Sequence, residues 1–396
     1  MRAADVVIVG GGHAGCEAAL CVSRMGLIAE LITLKIEAVG RMSCNPAIGG
    51  LAKGQLVREI DALGGEMAKV ADATGIQFRM LNTTKGPAVR SPRAQSDRHL
   101  YARDMLACLR AQPGIRLREG MVTSIETRGK HVAGVTLADG TRILGRAVIL
   151  TTGTFLSGLL HVGEKSWPGG RIHESPAPGL SESLATLGFE LGRLKTGTPP
   201  RIRKDSVDYD RLEVQQGDEH PQAFSFETEK LTQPQICCHL TRTNPETHRI
   251  IRDNLDRSPL FSGRIRGIGP RYCPSIETKV VEFPDRESHR VYIEPEGLDT
   301  DFLYLNGIST SLPEDVQIRI VRSIEGLERA EIIQMGYAVE YDFVPSCQLK
   351  PTLETHLVEG LYLAGQINGT SGYEEAAAQG LMAGINAGLR LREEPA

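Results

Sequence analysis

The sequence predicts an α/β fold built on a buried parallel sheet and interrupted by a long mixed α/β insertion. Three observations support this prediction: a β-branched run at 6–9 that leads into a glycine-rich turn, an apolar run at 147–150 that closes on Gly153, and a run at 360–364 followed by glycines and small residues. Uninterrupted apolar strands are typical of parallel sheets covered on both faces. A strand, a glycine turn and a helix in this order are the opening unit of a Rossmann-like fold.

The first turn has the spacing of a dinucleotide-binding loop. Gly10 allows a sharp turn, Gly12 lacks the Cβ that would hold a pyrophosphate away, and Gly15 lets the helix lie close to the strand. A helix predicted from His13 to about Met25 directs its unpaired N–H groups at phosphates. The candidate cofactor contacts are Gly10, Gly11, Gly12, His13, Ala14 and Gly15. The alternative is a glycine-rich turn with a structural role only.

The second strand, predicted over 29–33, does not end in the acidic residue that usually binds the adenosine ribose. Glu30 lies in mid-strand and Glu37 lies beyond the strand, so the identity of the ribose contact stays open. A Gly/Pro-rich stretch at 42–50 and a predicted helix over 53–64 follow.

A basic cluster lies between residues 84 and 103. It contains Lys85, Arg90, Arg93, Arg98 and Arg103 against a single acidic residue, Asp97. Two interpretations stay open: a solvated basic face, or contact with a phosphate of a cofactor or a nucleic acid.

Apolar residues alternate from 115 to 144, and Ala138-Asp-Gly-Thr141 has the composition of a hairpin turn. We therefore predict a small antiparallel meander over about 115–145 that leads back to the main sheet. The strands at 147–150 and 360–364 complete three signatures in the order found in FAD-binding proteins. Gln366 stands where many flavoproteins carry an aspartate that binds the ribityl chain, and an amide can make the same bond.

The predicted fold class is therefore α/β, with a Rossmann-like FAD-binding domain of the two-dinucleotide-fold flavoprotein type. This domain is expected to comprise residues 1–195 and 345–396. The long mixed α/β insertion is expected to comprise residues 196–344.

Length and composition limit the class of protein. The 396 residues allow two or three domains, and a net charge of −4 gives no overall basic field that would indicate nucleic-acid binding. The eight cysteines include no C-x-x-C pair and the histidines show no ligand spacing, so no metal site is predicted. Scattered thiols without a secretion signal or a membrane span favour a reduced, cytoplasmic protein.

Two cysteines have surroundings that suit chemistry. Cys44 follows the second strand within the Gly/Pro-rich stretch, and Cys273 lies between Arg271 and Lys279. A neighbouring base lowers the pKa of a thiol and makes it a usable nucleophile. Both can equally be small buried apolar residues, and we interpret the adjacent Cys237 and Cys238 as structural.

Seven sequence blocks go beyond a generic flavoprotein. They are MSCNPAIGG (42–50), KGPAVR (85–90), KTGTPPR (195–201), GPRYCPSIETK (269–279), EPEG (294–297), NGISTSLP (306–313) and AGQINGTSGYEEAAAQG (364–380). Together they resemble the MnmG (GidA) family, the tRNA uridine 5-carboxymethylaminomethyl modification enzymes, over essentially the whole chain.

The resemblance implies an activity and its cofactors. With the GTPase MnmE as partner, the family uses FAD, NADH and methylenetetrahydrofolate to attach an aminomethyl or carboxymethylaminomethyl group to C5 of the wobble uridine of certain tRNAs. It also implies a homodimer. Reduced flavin is expected to handle the one-carbon unit, while a thiolate adds to C6 of the uracil.

The resemblance also implies site residues. Gly10 to Gly15, Val122, Ala177 and Gln366 correspond to FAD contacts, and Cys44 and Cys273 correspond to the proposed catalytic cysteines. The stretch 267–281 corresponds to the NAD segment, with Gly267, Gly269, Pro270, Arg271, Tyr272, Ser275 and Lys279 as its candidate contacts.

The sequence departs from the family at two points. Glu282 stands before Phe283 where a basic residue is usual, which puts only a surface charge in doubt. The family continues into a helical domain that binds tRNA and MnmE, whereas this sequence stops at Ala396. We therefore expect a truncated form that retains FAD but binds tRNA and MnmE poorly.

Three alternatives remain at this point. The folate- and FAD-dependent tRNA uridine methyltransferases have a similar length but lack the Cys44 and Cys273 blocks. A flavin dehydrogenase for small acids would need an Arg/His constellation in the insertion, which is not found. A flavin-bearing scaffold without enzymatic activity is the third.

Overall fold

A computed structural model describes residues 3–269 and 274–396. The described strands are β1 (Ala4–Val9), β2 (Ala29–Thr33), β3 (Ala47–Gly49), β4 (Gly75–Leu81), β5 (Ser91–Ser96), β6 (Ile115–Glu119), β7 (Val122–Arg128), β8 (His131–Leu137), β9 (Arg142–Leu150), β10 (Leu159–Val162), β11 (Lys165–Pro168), β12 (Gly192–Thr198), β13 (Arg201–Arg203), β14 (Glu213–Gln215), β15 (Cys238–Arg242), β16 (Arg290–Pro295), β17 (Phe302–Asn306), β18 (Ile332–Gln334), β19 (Tyr337–Phe343) and β20 (Leu361–Leu363).

The α-helices of the same residues are α1 (His13–Arg24), α2 (Gly54–Ala62), α3 (Met67–Thr74), α4 (Arg98–Ala111), α5 (Leu180–Thr186), α6 (Pro245–Arg252), α7 (Ile276–Glu282), α8 (Glu314–Arg322) and α9 (Tyr373–Leu391). Short 3-10 turns lie at Ile36–Ala38, Pro87–Val89, Lys204–Ser206, Tyr209–Arg211, Leu255–Arg257, Ser346–Gln348 and Gly365–Asn368. No helix among the described residues is long and apolar enough to span a membrane.

The main sheet is parallel, with its strands in the order β6-β2-β1-β9-β20. β1 lies at its centre: Val6 pairs with Ala29 on one side and with Ala147 on the other. Val6, Val7 and Ile8 have no exposed surface, as expected for a strand covered on both faces. This sheet confirms the predicted Rossmann-like fold class, the three apolar strands, and the helix that begins at His13 and ends near Met25.

The antiparallel meander is shorter than expected, because it comprises only β7, β8 and β9. β6, which we expected to be its first strand, instead pairs parallel with β2 at the edge of the main sheet. β6 is half-buried, so its apolar residues alternate as they do in an antiparallel strand, and alternation alone cannot distinguish the two.

The described residues form three further sheets. β3, β5 and β4 form a small antiparallel sheet next to α2, and β11-β10-β19-β12 form a four-stranded sheet. The strands β14-β15-β16-β17-β13-β18 form a six-stranded sheet whose apolar face is covered by α6, α7 and α8.

Helices α1 and α9 lie against each other at very short range. Gly380, Gly384 and Gly388 recur every fourth residue of α9, and a Cβ at Gly380 would overlap the backbone of Ala14. A Cβ at Gly384 would lie 3.0 Å from the carbonyl oxygen of Ala18. Only glycine therefore permits this contact, which joins the two ends of the described chain.

A buried carboxylate fixes the start of α3. Glu17, on α1, accepts hydrogen bonds from the backbone N–H groups of Glu66 and Met67, at 2.7–3.0 Å. Burial raises the pKa of Glu17 to about 7, although these two donors oppose the shift. The carboxyl therefore titrates near neutral pH in the folded protein.

Candidate dinucleotide and thiol site

Two cavities meet at the carboxyl ends of β1 and β9, where ligands bind in parallel α/β sheets. The larger has a volume of about 290 Å³ and the smaller about 100 Å³. They share four lining residues: Gly12, Thr151, Gly153 and Arg171. The shared wall makes a continuous cleft across the glycine turn.

The glycine turn 10–15, here called the phosphate turn, joins β1 to α1. Gly10 has a φ of 112°, which a side chain rarely adopts, and Gly10, Gly11 and Gly12 line the smaller cavity. A Cβ added at Gly12 would meet no atom of the described protein within 4 Å, so the space there is open. A Cβ at Gly15 would overlap the carbonyl oxygen of Gly10. The missing side chain of Gly12 therefore leaves room for a ligand, whereas the missing side chain of Gly15 allows α1 to lie close to the backbone of Gly10.

The smaller cavity contains the predicted adenosine-side contacts. Val122 and Ala177 both line it, as do Thr33 and Lys35 at the end of β2. Glu30 does not: its carboxylate accepts a 2.6 Å hydrogen bond from Arg118. Thr33 and Lys35 are thus the polar groups that β2 offers at the position where an acidic residue usually binds the ribose.

His13 begins α1 and lines the larger cavity, as does Ala14. Its ring stacks on Tyr373 with the centroids 4.4 Å apart, and its Nε2 is buried without a hydrogen-bond partner among the described residues. Burial, and then the positive charge of Arg171, lower the pKa of His13 to about 3. The ring is therefore neutral, and its Nε2 is available to a bound group.

Arg171 lies where the two cavities join, and the sequence analysis did not identify it. Its guanidinium is 3.6 Å from Glu174, and its buried Nη1 makes no hydrogen bond within the described residues. Glu174 has a closer partner in Arg41, at 2.7 Å. A buried guanidinium beside the phosphate turn suits a diphosphate. The signal in the sequence is a cation directly after two glycines, Gly169 and Gly170.

Cys44 and Gln366 both line the larger cavity. Gln366 follows β20, and its amide lies 3.4 Å from the hydroxyl of Tyr341. Cys44 lies between β2 and β3, and its backbone N–H donates a 2.6 Å hydrogen bond to the hydroxyl of Tyr373. The two predicted residues therefore lie on one cavity wall although more than three hundred positions separate them in the chain.

Four residues from distant parts of the chain meet at Cys44, and we call them the thiol corner: Cys44, Arg201, Tyr304 and Tyr373. The Sγ of Cys44 is 3.5 Å from the hydroxyl of Tyr304, and Arg201 donates a 3.0 Å hydrogen bond to the carbonyl oxygen of Cys44. The guanidinium of Arg201 lies 4.9 Å from the centre of the Tyr304 ring, at cation–π distance.

Buried ion pairs hold Arg201 in place. Its side chain is 2% exposed and its Nε lies 3.2 Å from Glu296, whose other oxygen lies 2.6 Å from Arg98. Burial is the largest single influence on Arg201 and lowers its pKa, but the Glu296 carboxylate together with the weaker contributions of Tyr304, Tyr337 and Cys44 outweighs burial, and the pKa is raised. Thr198 and the carbonyl oxygen of Pro199 accept its remaining hydrogen bonds.

The basic cluster at 84–103 divides into two parts. Arg93 pairs with Glu294 at 2.7 Å, Arg98 pairs with Glu296, and Arg103 pairs with Asp104. Lys85 and Arg90 lie on an exposed loop. Most of this cluster is therefore neutralised by acidic residues. The partners of Arg93 and Arg98 lie about two hundred residues away, at a distance that a local count of charges does not reach.

The described members of the predicted NAD segment do not line either cavity: Ile268 pairs with Leu194 of the four-stranded sheet, and α7 covers the six-stranded sheet. The Gly267 N–H donates to Glu340 at 2.6 Å, and Gly269 is exposed. Ser275 caps α7, and Lys279 donates to the carbonyl oxygen of Gly307 at 2.8 Å. The other predicted residues, Pro270, Arg271, Tyr272 and the catalytic candidate Cys273, lie outside the described residues.

Among the described residues, no group of three or more His, Cys, Asp or Glu side chains could hold a metal ion. Of the other cysteine pair, Cys238 is buried in β15 and Cys237 is exposed.

Comparison with known proteins identifies the chain's relatives. The family model described as glucose inhibited division protein A matches residues 5–395. A protein of Syntrophotalea carbinolica named tRNA uridine 5-carboxymethylaminomethyl modification enzyme MnmG is 60% identical over 391 residues, which cover 99% of this chain and 63% of that protein. A protein of the same name from Geobacter sulfurreducens is 58% identical, with 99% and 62% covered.

Solved structures agree. Aquifex aeolicus GidA in its form I crystal superimposes with a TM-score of 0.95 at 52% identity, covering 99% of this chain and 67% of that one. A GidA-related protein of Thermus thermophilus, at 14% identity and a TM-score of 0.51, shares the fold. The chain spans just under two thirds of the length of the MnmG relatives. It belongs to the GidA family.

Proposed function

We propose that the chain binds FAD in the two joined cavities and that the whole protein modifies tRNA. The proposed reaction adds an aminomethyl or carboxymethylaminomethyl group to C5 of the wobble uridine, position 34, of certain tRNAs. The position of Cys44 carries the proposal, because its thiol lies on the wall of the cavity that adjoins the phosphate turn. A nucleophile and a dinucleotide site in one cleft suit a group transfer coupled to redox chemistry.

The residues divide into three roles in this proposal. The N–H groups at the start of α1 and the guanidinium of Arg171 bind the diphosphate. Val122 and Ala177 enclose the adenosine side, and Gln366 binds the opposite end. When bound, FAD supplies the two-electron redox chemistry for the one-carbon unit. The open space at Gly12 and the buried Nε2 of His13 support this fit.

The thiols act on the base. One of the two, Cys44 or Cys273, adds as a thiolate to C6 of the uracil and makes C5 nucleophilic. The proton of the cysteine thiol passes to water. After the new bond to C5 has formed, loss of the C5 proton expels the cysteine thiolate from C6. NADH, proposed to bind beside the 267–281 segment, supplies reducing equivalents, and methylenetetrahydrofolate supplies the carbon.

The partners follow from the same proposal. MnmE and the tRNA would bind the whole protein, which we propose to be a cytoplasmic homodimer. The span 196–344 would form the NADH and substrate side, and residues 1–195 with 345–396 the FAD-binding domain.

The test measures modification by mass spectrometry of nucleosides. Purified chain, and a chimera that adds the remaining part of the Syntrophotalea carbinolica relative, are supplied with MnmE, FAD, NADH, methylenetetrahydrofolate and undermodified tRNA. The chimera should yield the aminomethylated wobble uridine. Formation of 5-methyluridine instead would favour the methyltransferase reaction.

Cysteine variants test the thiol roles within that assay. Cys44→Ser and Cys273→Ser should each abolish modification while leaving FAD bound, and Cys347→Ser, an exposed cysteine, should not. Full activity of either test variant would remove that cysteine from the mechanism. Protein that stays colourless after FAD is added would contradict the cofactor assignment.

A further inference from the structure

The hydroxyl of Tyr304 lies beside the thiol of Cys44, at 3.5 Å. Tyr304 is on β17, is 4% exposed, and lines the larger cavity together with Cys44. At this distance a neutral thiol can donate to the phenol oxygen, and a thiolate can accept from the phenol O–H. The second arrangement is the stronger one because its acceptor is charged.

A net positive charge lies under this pair of groups. One carboxylate, Glu296, faces two guanidinium groups, those of Arg201 and Arg98. These three groups carry a net charge of +1, next to the backbone of Cys44 and against the ring of Tyr304, while the neighbouring buried carboxylate of Asp97 accepts from the backbone N–H groups of His99 and Leu298. A nearby positive charge is the usual cause of a lowered thiol pKa.

Other titratable groups also face Cys44. Lys53 and the hydroxyl-bearing Tyr337 and Tyr373 act on it electrostatically from neighbouring elements, together with Arg201. Lys53 lies 3.1 Å from Glu374 and 3.9 Å from Glu375, so its charge is compensated. The Tyr373 hydroxyl accepts from the Cys44 backbone N–H. Among the described tyrosines, Tyr304 is the one whose hydroxyl contacts the sulfur itself.

We propose that the Tyr304 hydroxyl donates a hydrogen bond to the thiolate of Cys44, and that the Arg98–Glu296–Arg201 cluster holds this thiolate ionised at neutral pH. On ionisation the S–H proton passes to water in the cavity, and the phenol O–H turns toward the sulfur. Tyr304 then touches the reacting atom and is a catalytic residue. The role rests on the proposed function only in taking Cys44 as a nucleophile.

The test is the pH profile of Cys44 alkylation in the full chain. Iodoacetamide forms an S–C bond with the thiolate and expels iodide, and mass spectrometry of the Cys44 peptide gives the rate. We expect the wild-type midpoint to lie below about 7, against an ordinary thiol value of about 8.5. A wild-type midpoint above about 7 would overturn the proposal without any variant.

Tyr304→Phe isolates the hydroxyl. Loss of a hydrogen bond to an anion should raise the midpoint by about one pH unit, which lowers the thiolate fraction about tenfold well below the midpoint and, with the more reactive thiolate, slows alkylation there about threefold. The limiting rate at high pH should instead rise about threefold, because a more basic thiolate is more nucleophilic. A purely structural role would not change these two rates in opposite directions.

Tyr337→Phe is the matched control: it removes a hydroxyl from the same cavity, and burial raises the pKa of Tyr337, so this hydroxyl is uncharged over the pH range of the thiol titration. Its profile should match that of the wild type, and an equal shift in both variants would overturn the proposal. Cys44→Ser identifies the labelled peptide. Alkylation uses no tRNA or folate. A failed modification assay would therefore contradict the proposed function without affecting the role of Tyr304, and an unshifted alkylation profile would contradict the role of Tyr304 without affecting the proposed function.

Discussion

The phosphate turn and the thiol corner face the same cleft but are built in opposite ways. The phosphate turn is six consecutive residues that follow one strand and include the first three residues of one helix, and four of the six are glycines. The thiol corner takes its four residues from the loop after β2, from β13, from β17 and from the start of α9. A short segment can encode the first site. The second depends on the register of sheets that meet only in the folded chain.

The largest expected effect comes from substituting Glu296, which is not part of the thiol corner but holds its Arg201 in place. Glu296→Gln removes the charged partner of the buried Arg201 guanidinium and of the half-buried Arg98 guanidinium, so we expect a loss of about 3–5 kcal/mol in the free energy of unfolding. Urea denaturation measures it. Glu246→Gln breaks an exposed ion pair with Arg249 and should change stability by less than about 1 kcal/mol. Equal losses would show that Arg201 is not held by this pair.

The next variant breaks the phosphate turn from within. Gly15→Ala should cost about 3 kcal/mol and remove FAD binding, because the new methyl group overlaps the carbonyl oxygen of Gly10. Gly12→Ala should keep the stability of the wild type and still lose FAD, since its methyl group enters only the open space. Thermal unfolding and flavin fluorescence separate the two. A Gly12→Ala protein that binds FAD normally would contradict the assignment of that space to the cofactor.

The pH dependence of stability tests the role of Glu17, a buried carboxyl on the helix that begins in the phosphate turn. The pKa of Glu17 is raised from 4.5 to about 7 on folding, so the folded state binds the extra proton. The contribution of the protonated Glu17 carboxyl to the free energy of unfolding is fully present below the unfolded pKa and is lost as the pH rises through the folded pKa. Glu17→Gln removes the dependence.

Compared with the wild type, Glu17→Gln should therefore gain about 2 kcal/mol between about pH 5 and about pH 8. Urea denaturation of both proteins at the two pH values gives the difference. Glu393→Gln, at an exposed site, is the control and should show no such gain. A difference between Glu17→Gln and wild type that does not vary with pH would contradict the raised pKa.

The smallest effect concerns the boundary between the two cavities. Arg171→Met should weaken FAD binding about tenfold, or about 1.4 kcal/mol, because it removes the guanidinium proposed to face the diphosphate. The fold should be retained, since Glu174 keeps its ion pair with Arg41. Arg110→Met, at an exposed site of α4 that lines neither cavity, is the control and should change the affinity less than twofold. Titration followed by flavin fluorescence measures both.

The sequence predicts those parts of the molecule that neighbouring residues determine. The strand and glycine turn before His13, the helix after it, and the strands at 147–150 and 360–364 all follow from local pattern and are confirmed. The pairing of β6 does not, because an edge strand of a parallel sheet has the same alternation as a hairpin strand.

Long-range partners account for the rest. Arg201 and Glu296 lie in two different blocks of the family resemblance, 95 positions apart in the chain. No local spacing therefore identifies their ion pair. Arg171 carries a weak signal, a cation after two glycines, whose meaning depends on where β9 ends. Tyr304 contacts Cys44 only because β17 lies at a particular position in the six-stranded sheet.

The close contact between α1 and α9 has a consequence for synthesis of the chain. The small residues of α1 are covered by the glycines of a helix that leaves the ribosome more than three hundred residues later. At elongation rates of about 5–20 residues per second, α1 waits on the order of tens of seconds for its partner. During that interval its apolar surface is available to chaperones, and the phosphate turn lacks the neighbour against which it is finally fixed.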